Sequence, residues 1–242
     1  MAGNVSYKIC VIGAGGTGGY FLKEFSRFIS GRKLPIPQLL IMDGDMVEEH
    51  NLTRQCFVPE DIGSKKAAVL AEVLNDTFSL NWESYPFYLS EKNQLLQALG
   101  TLEQKTIPVI LGCVDNHGCR LILEDIFRSL DNCIYFDSGN EIESGEVVFS
   151  YKIKGQQLSP LRSEIFPDLL NGDTRNVTEL SCEELNTVLP QHIATNMLSG
   201  NILLSAVALL LEKGELKRGM TCFNSMSMHM EFIPLHIKEE NA

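Results

Sequence analysis

Cations are scarce in this sequence: 20 lysines and arginines stand against 31 aspartates and glutamates, a net charge of −11. Nucleic-acid binding relies on Lys and Arg displacing counterions, so no nucleic-acid partner is expected. The seven cysteines are an odd number and include no C-x-x-C pair. That argues against a disulfide framework and against a four-ligand zinc site at finger-like spacing; it is the pattern of a reduced, cytoplasmic protein. Long apolar runs are missing as well. The segment from Met197 to Leu211 is about 15 residues against the roughly 20 that span a bilayer, and Ser199, Asn201 and Ser205 interrupt it. The N-terminal "KICVIGAGGTGGYFL" is broken by six glycine or threonine positions, unlike the core of a signal peptide. No membrane partner is expected. There is no internal repeat and no low-complexity tract, and 242 residues suit one large α/β domain.

What the sequence does contain is a rhythm. "YKICVIG" (7–13), "QLLIMD" (38–43), "TIPVILGCVD" (106–115) and "CIYFDSG" (133–139) are short apolar runs that read as buried strands. "GGYFLKEFSRFIS" (18–30), "GSKKAAVLAEVLND" (63–76) and "HGCRLILEDIFRSL" (117–130) have helical spacing between them. "SLNWESYPFYL" (79–89) alternates loosely, and its Pro86 places it at a sheet edge or strand end. Such alternation predicts a Rossmann-like α/β fold, a mostly parallel sheet with helices on both faces, over a nucleotide-binding part at 7–140. Beyond it "GEVVFSYKI" (145–153) reads as an antiparallel strand. Residues 154–190 read as a long crossover loop with short helical pieces, and a helix near 191–213 and two strands in 220–235 close the chain. The alternating Met226, Met228 and Met230 read as one face of a strand.

The chemistry-bearing residues gather at the strand ends. Gly13, Gly15, Gly16 and Gly18 form G-x-G-G-x-G between the first strand and first helix. Glycines let the backbone turn tightly and approach phosphates, with helix N–H groups aimed at the anion. This suits NAD and ATP alike, and a tight turn without a ligand is the plain alternative. Asp43 lies 25 residues past Gly18, near the separation of a ribose-binding acid. In "DGDMVEEHNLTRQ" (43–55) that acid is followed by Asn51, Arg54 and Gln55, and Lys66 opens the next helix. Hydride transfer has no use for such cations, whereas nucleotidyl transfer does, because charge builds as pyrophosphate leaves. Arg54 offers a planar fork and Lys66 a point charge, though either alone also reads as a solvated surface charge. Asp115, the acid of "VDNHGCR" (114–120) at the end of a parallel strand, can hold magnesium or cap the helix that follows.

The ordered set G-x-G-G-x-G, D-x-D-x-V-x-x-x-N-L-x-R-Q, a lysine at the next helix and D-N-x-x-x-R resembles the ubiquitin-activating enzyme superfamily, the ThiF/MoeB/HesA group of adenylyltransferases. The resemblance covers residues 7 to 150 well and the rest loosely. It implies ATP phosphates at Gly15, Gly16 and Gly18, ribose at Asp43, and triphosphate at Asn51, Arg54 and Lys66. Mg2+ would fall to Asp115, with Gln55 and Arg120 in support; Lys65 beside Lys66 leaves the register of the lysine open. The activity implied is adenylation of the C-terminal carboxylate of a ubiquitin-like or sulfur-carrier protein ending in glycine, by a homodimer or with a second subunit. An NAD-dependent oxidoreductase is the alternative enzyme, and a nucleotide-binding scaffold subunit the alternative without catalysis.

The sequence departs from that family in two places. Only "MAGNVS" precedes the first strand, where many members carry an arginine that reaches into the site; Arg27, Arg32 or another polypeptide would have to supply it. The paired C-x-x-C zinc site of the sulfur-carrier activators is absent. A thioester step has a candidate in Cys182, in "SCEELNTVLPQHIATNM" (181–197), with Pro190 and His192 beyond it. Ser181 and Glu184 form a capping-box pattern that would set Cys182 at a helix N-terminus, where a thiol pKa falls; Glu179, Glu183 and Glu184 oppose the thiolate. A structural thiol is the other reading. Cys56 reads as packing, and Cys113, Cys119, Cys133 and Cys222 as core thiols. His50 and His117 at most line the site.

Overall fold

The computed structural model describes residues 5–32, 35–103, 105–167 and 191–237. Strand β1 (Ser6–Ile12) leads through the glycine turn into α1 (Gly16–Ser30), and β2 (Gln38–Met42) follows. The acid-rich stretch after it, which periodicity assigns to neither helix nor strand, holds two single-turn 3-10 helices, Glu49–Asn51 and Pro59–Asp61. Then come α2 (Lys66–Phe78), β3 (Glu83–Tyr85), α3 (Lys92–Leu99), β4 (Thr106–Gly112), α4 (His117–Ser129), β5 (Cys133–Asn140) and β6 (Ser144–Ile153). A two-residue β7 (Gln156–Gln157) and the four-residue α5 (Arg162–Ile165) precede the long α6 (Ile193–Lys213) and the hairpin β8 (Gly219–Asn224) and β9 (His229–Pro234).

The strands form one nine-stranded sheet in the order β3-β2-β1-β4-β5-β6-β8-β9, with β7 paired to β6. β3, β2, β1, β4 and β5 are parallel; β6, β8 and β9 continue antiparallel. Both faces are covered, which explains why the parallel strands are apolar throughout rather than alternating. Ile9, Val11, Leu39, Ile41, Val109 and Leu111 turn to one face, beneath Phe21 and Phe25 of α1, Leu74 of α2 and Leu203 of α6. Their neighbours Cys10, Ile12, Leu40, Met42 and Ile110 turn to the other, against Leu95 of α3 and Leu123 and Phe127 of α4.

Several boundaries differ from expectation. The strand expected over 79–89 is three residues long, at the sheet edge, because Pro86 removes a backbone donor directly after Tyr85. α2 begins at Lys66 rather than Gly63, since Lys65 is extended and pairs with Met46. β4 ends at Gly112, so Cys113, Val114 and Asp115 form the loop above it. Met226 and Met228 are not on a strand face: they lie in the β8–β9 turn, where Met228 takes φ 56° and is 89% exposed. The crossover loop is described as far as residue 167 and contains β7 and α5. α6 lies where a helix is expected, near 191–213. Its 21 residues exceed the apolar run of about 15 and are long and apolar enough to cross a membrane, but Thr195, Asn196, Ser199, Gly200, Leu203, Val207 and Leu210 are buried, and it packs on α1.

Candidate functional site

The parallel strands finish along one sheet edge, and a cavity of about 300 Å³ opens there, within the range of small-molecule sites. Its floor is the turn after β1. Gly13 has φ +96°, and a Cβ on it would stand 2.4 Å from the Cys113 carbonyl oxygen. A Cβ on Gly18 would stand 1.9 Å from the Gly13 carbonyl oxygen, so the turn closes only without side chains. Gly13→Ala is therefore expected to lower stability by roughly 1–3 kcal/mol, read as a fall in melting temperature. The first N–H groups of a helix have no partner within it, and here Gly16 and Thr17 present that end of α1 to the cavity.

Asp43, just past β2, is oriented by backbone. Its Oδ2 accepts from Ala14 N–H at 2.5 Å and its Oδ1 from Asp45 N–H at 2.7 Å. Burial, with the Asp45 charge adding, pushes its carboxyl above the usual carboxylate range. Asp45 goes the other way: burial works to raise it, but Lys66, Tyr88 and Lys65 outweigh that, and the carboxyl sits below its ordinary range.

The next stretch forms one wall. Asn51 is buried and its Oδ1 accepts Glu48 N–H at 2.9 Å, which pins the 3-10 turn. Arg54 and Gln55 line the cavity; Arg54 Nε and Gln55 Oε1 are buried without a hydrogen-bond partner. Polar atoms in that condition are costly unless a ligand or water meets them. Lys66 is buried and donates to Asp45 Oδ2 at 2.9 Å, whereas Lys65 donates to the Gly44 carbonyl at 2.6 Å and does not line the cavity. The lysine of the cavity is thus Lys66.

The opposite wall comes from the ends of β4 and β5. Asp115 lines the cavity, is exposed, and makes no hydrogen bond or ion pair among the described residues. It does not cap α4; Asn116 does, accepting Cys119 N–H at 2.8 Å. Arg120 is buried and donates to the carbonyls of Val114 (2.6 Å) and Ser138 (2.9 Å) and to Asp137 (3.2 Å), tying the two loops together.

The candidates for nucleotide contact Gly13, Gly15, Gly16, Asp43, Asn51, Arg54, Gln55, Lys66 and Asp115 line this one cavity. Gly18, also expected at the phosphates, does not, and packs against the Gly13 carbonyl beneath the turn. Cys182, Ser181, Glu184 and Pro190 lie outside the described residues. His192 caps α6, its Nδ1 accepting from Ala194 N–H. Arg27 pairs with Glu24, and Arg32 pairs with Glu212 and covers Phe28; neither of these two candidate arginines lines the cavity. Cys113 and Cys119 are cavity-wall rather than purely core thiols; burial pushes Cys119 up to about 12, so it stays protonated. Cys222 is partly exposed. Sequence reasoning missed Thr17, Tyr88, Ser138, Asn140 and Gln191, all on the wall. The end of β5, where parallel sheets bind ligands, points to Ser138 and Asn140; nothing local marks Tyr88.

Among curated proteins, ubiquitin-like modifier-activating enzyme 5 of Oryza sativa subsp. japonica is 26% identical over 132 residues, 51% of this chain and 30% of that protein. The Drosophila melanogaster enzyme of the same name is 26% identical over 155 residues, 60% of this chain and 37% of that one. The chain thus matches about a third of these relatives' length. Among solved structures, E. coli MccB with MccA-N7isoASN aligns at TM-score 0.70 and 15% identity, covering 99% of this chain and 66% of that one. PaaA aligns at TM-score 0.67 and 16% identity, over 96% and 64%. These likenesses establish the fold, and the ThiF family matches residues 5–242; the chain belongs to that family.

Proposed function

We propose that this chain is an ATP-dependent adenylyltransferase that activates the C-terminal carboxylate of a ubiquitin-like, sulfur-carrier or other peptide substrate ending in glycine. The observation that carries the proposal is the convergence of Arg54, Lys66 and Asp115 on the cavity floored by the glycine turn. The activating-enzyme relatives support the substrate class, and E. coli MccB has been solved with ATP and with MccA.

The residues fit a metal-bound nucleotide. Four carboxylates (Asp43, Asp45, Glu48 and Asp115) line the cavity against two cations, Arg54 and Lys66, so a triphosphate needs a further positive charge. No group of three or more metal-ligating side chains is present among the described residues. Mg2+ suits that arrangement, because it binds through one or two carboxylates with phosphate oxygens and water, and Asp115 is the unpartnered carboxylate. When bound it would offset charge on the departing pyrophosphate.

In this proposal Asp43 accepts from the ribose hydroxyls, and the α1 N-terminus receives phosphate. Arg54, with its unpartnered Nε, and Lys66 hold the β- and γ-phosphates. The substrate carboxylate, already ionised, attacks the α-phosphorus in line; the new carboxylate O–P bond forms as the Pα–O bond to pyrophosphate breaks. No protein base is required, and His50, paired with Glu48, has none of that work to do. A homodimer, or pairing with a second subunit, is part of the proposal. A reducing cytoplasmic setting is part of it too, from the odd cysteine count without a C-x-x-C pair. A further step is attack of the Cys182 thiolate on the adenylated carbonyl carbon, the thioester C–S bond forming as the C–O bond to AMP breaks. A thiol-sensitive carrier adduct lost in Cys182→Ser supports it, and one that persists rejects it.

Labelled pyrophosphate exchange into ATP tests the main reaction. Exchange that needs both Mg2+ and a carrier ending in Gly-Gly is the expected result. ATP binding with no exchange for any carrier would make the chain a scaffold, and NAD binding without ATP affinity would overturn the assignment.

A further inference from the structure

Tyr88 lies outside the motifs that carry the family resemblance, yet it reaches the phosphate clamp. Its hydroxyl donates to Asp45 Oδ1 at 2.5 Å, while Asp45 Oδ2 accepts from Lys66 at 2.9 Å, and all three residues line the cavity. The ring lies against Gly44 so closely that a Cβ there would stand 2.5 Å from ring carbons. On the other side of the same loop Lys65 holds the Gly44 carbonyl. We infer that Tyr88 is a positioning residue for the phosphate clamp, setting Lys66 through Asp45. The inference rests on the nucleotide-binding function proposed above.

Lys66 has a side chain only 7% exposed, so its ammonium needs a fixed counter-charge. Asp45 supplies it, but at 45% exposure that carboxylate is free to turn to water unless something holds it. Tyr88 occupies one oxygen and leaves the other on Lys66. Burial, with the Asp45 hydrogen bond and charge adding, raises the Tyr88 phenol, so it is a neutral donor at assay pH. Without the hydroxyl, either Asp45 swings away and Lys66 loses its position, or the less-satisfied carboxylate grips Lys66 against the incoming phosphates. Both lower affinity for a triphosphate, and neither touches the nucleoside.

Calorimetric titration of the full chain with Mg·ATP and with adenosine separates this from a passive wall. Tyr88→Phe keeps the ring on Gly44; it is expected to weaken ATP about tenfold, the scale of one hydrogen bond to a charged group, and adenosine less than about twofold. In a Lys66→Met background the same substitution should change ATP affinity by less than about twofold, because its route is gone. Gly44→Ala, which displaces the ring, is expected to repeat the ATP-selective loss. A loss shared equally by adenosine, or one that persists in Lys66→Met, overturns the inference. A wild-type chain that binds neither ligand overturns the nucleotide function beneath it, and the inference with it.

Discussion

Asp115→Ala is expected to lower pyrophosphate exchange by about 10²–10³-fold, the scale of removing one group that stabilises transition-state charge. The melting temperature should move by no more than about 2 °C, as for a surface substitution away from structural features. The two halves of this expectation come from the same geometry. Asp115 is exposed on the loop after β4 and makes no bond the fold needs, since Asn116 performs the capping of α4. Its carboxylate faces the cavity holding Arg54 and Lys66. Under the proposed function the substitution removes the carboxylate assigned to Mg2+ and leaves the scaffold alone. ATP affinity measured without Mg2+ should hold or rise, because a carboxylate has left the cavity, whereas the gain on adding Mg2+ should shrink. An Asp115→Ala chain that exchanges pyrophosphate at the wild-type rate sinks the metal assignment.

How much of this was legible beforehand depends on the range of the interactions. The strands β1, β2, β4 and β5 are continuous apolar runs because each is buried on both faces, a signature local enough to read. The glycine turn is also local, as the crowding at Gly13 and Gly18 shows. The acids and cations of 43–66 could be ordered along the chain because strand, turn and helix hold them in sequence. What escaped was set by distant partners. α3 buries only Leu95 and Leu99 among polar residues, too few for a periodic signal. Tyr88 sits two residues past Pro86, and only the fold brings it to Asp45. The methionine alternation misled because a turn residue at φ 56° breaks the two-residue period at Met228. Arg162, in what reads as an ordinary polar loop, meets its partners across 25 residues of sequence at Asp137 and 16 at Glu146.

That arginine underlies the largest stability effect. Asp137→Ala is expected to destabilise the protein by about 3–5 kcal/mol, the scale of breaking a buried ion pair from one side. For a chain of this size that is a fall of roughly 6–20 °C in melting temperature. Asp137 is 1% exposed; its Oδ2 accepts from Arg162 Nε at 2.7 Å and its Oδ1 from Arg120 Nε at 3.2 Å. Arg162 is also bound to Glu146, and burial, which works to lower its pKa, is outweighed by Asp137 and Glu146, so it is held as a cation. Removing Asp137 leaves the buried Arg162 with Glu146 as its carboxylate and the buried Arg120 with carbonyl acceptors alone. Asp137→Asn offers no escape, because its amide would turn a donor toward a donor. Exchanging Arg162 for Met in the Asp137→Ala chain should recover part of the loss, since one of the stranded charges goes with it. The effect should reach the cavity too, because Arg120 holds the Val114 and Ser138 carbonyls on the wall beside Asp115. Nucleotide affinity should then fall in Asp137→Ala even below the melting transition. A melting temperature within about 2 °C of wild type would show that the cluster is solvated and does not brace the site.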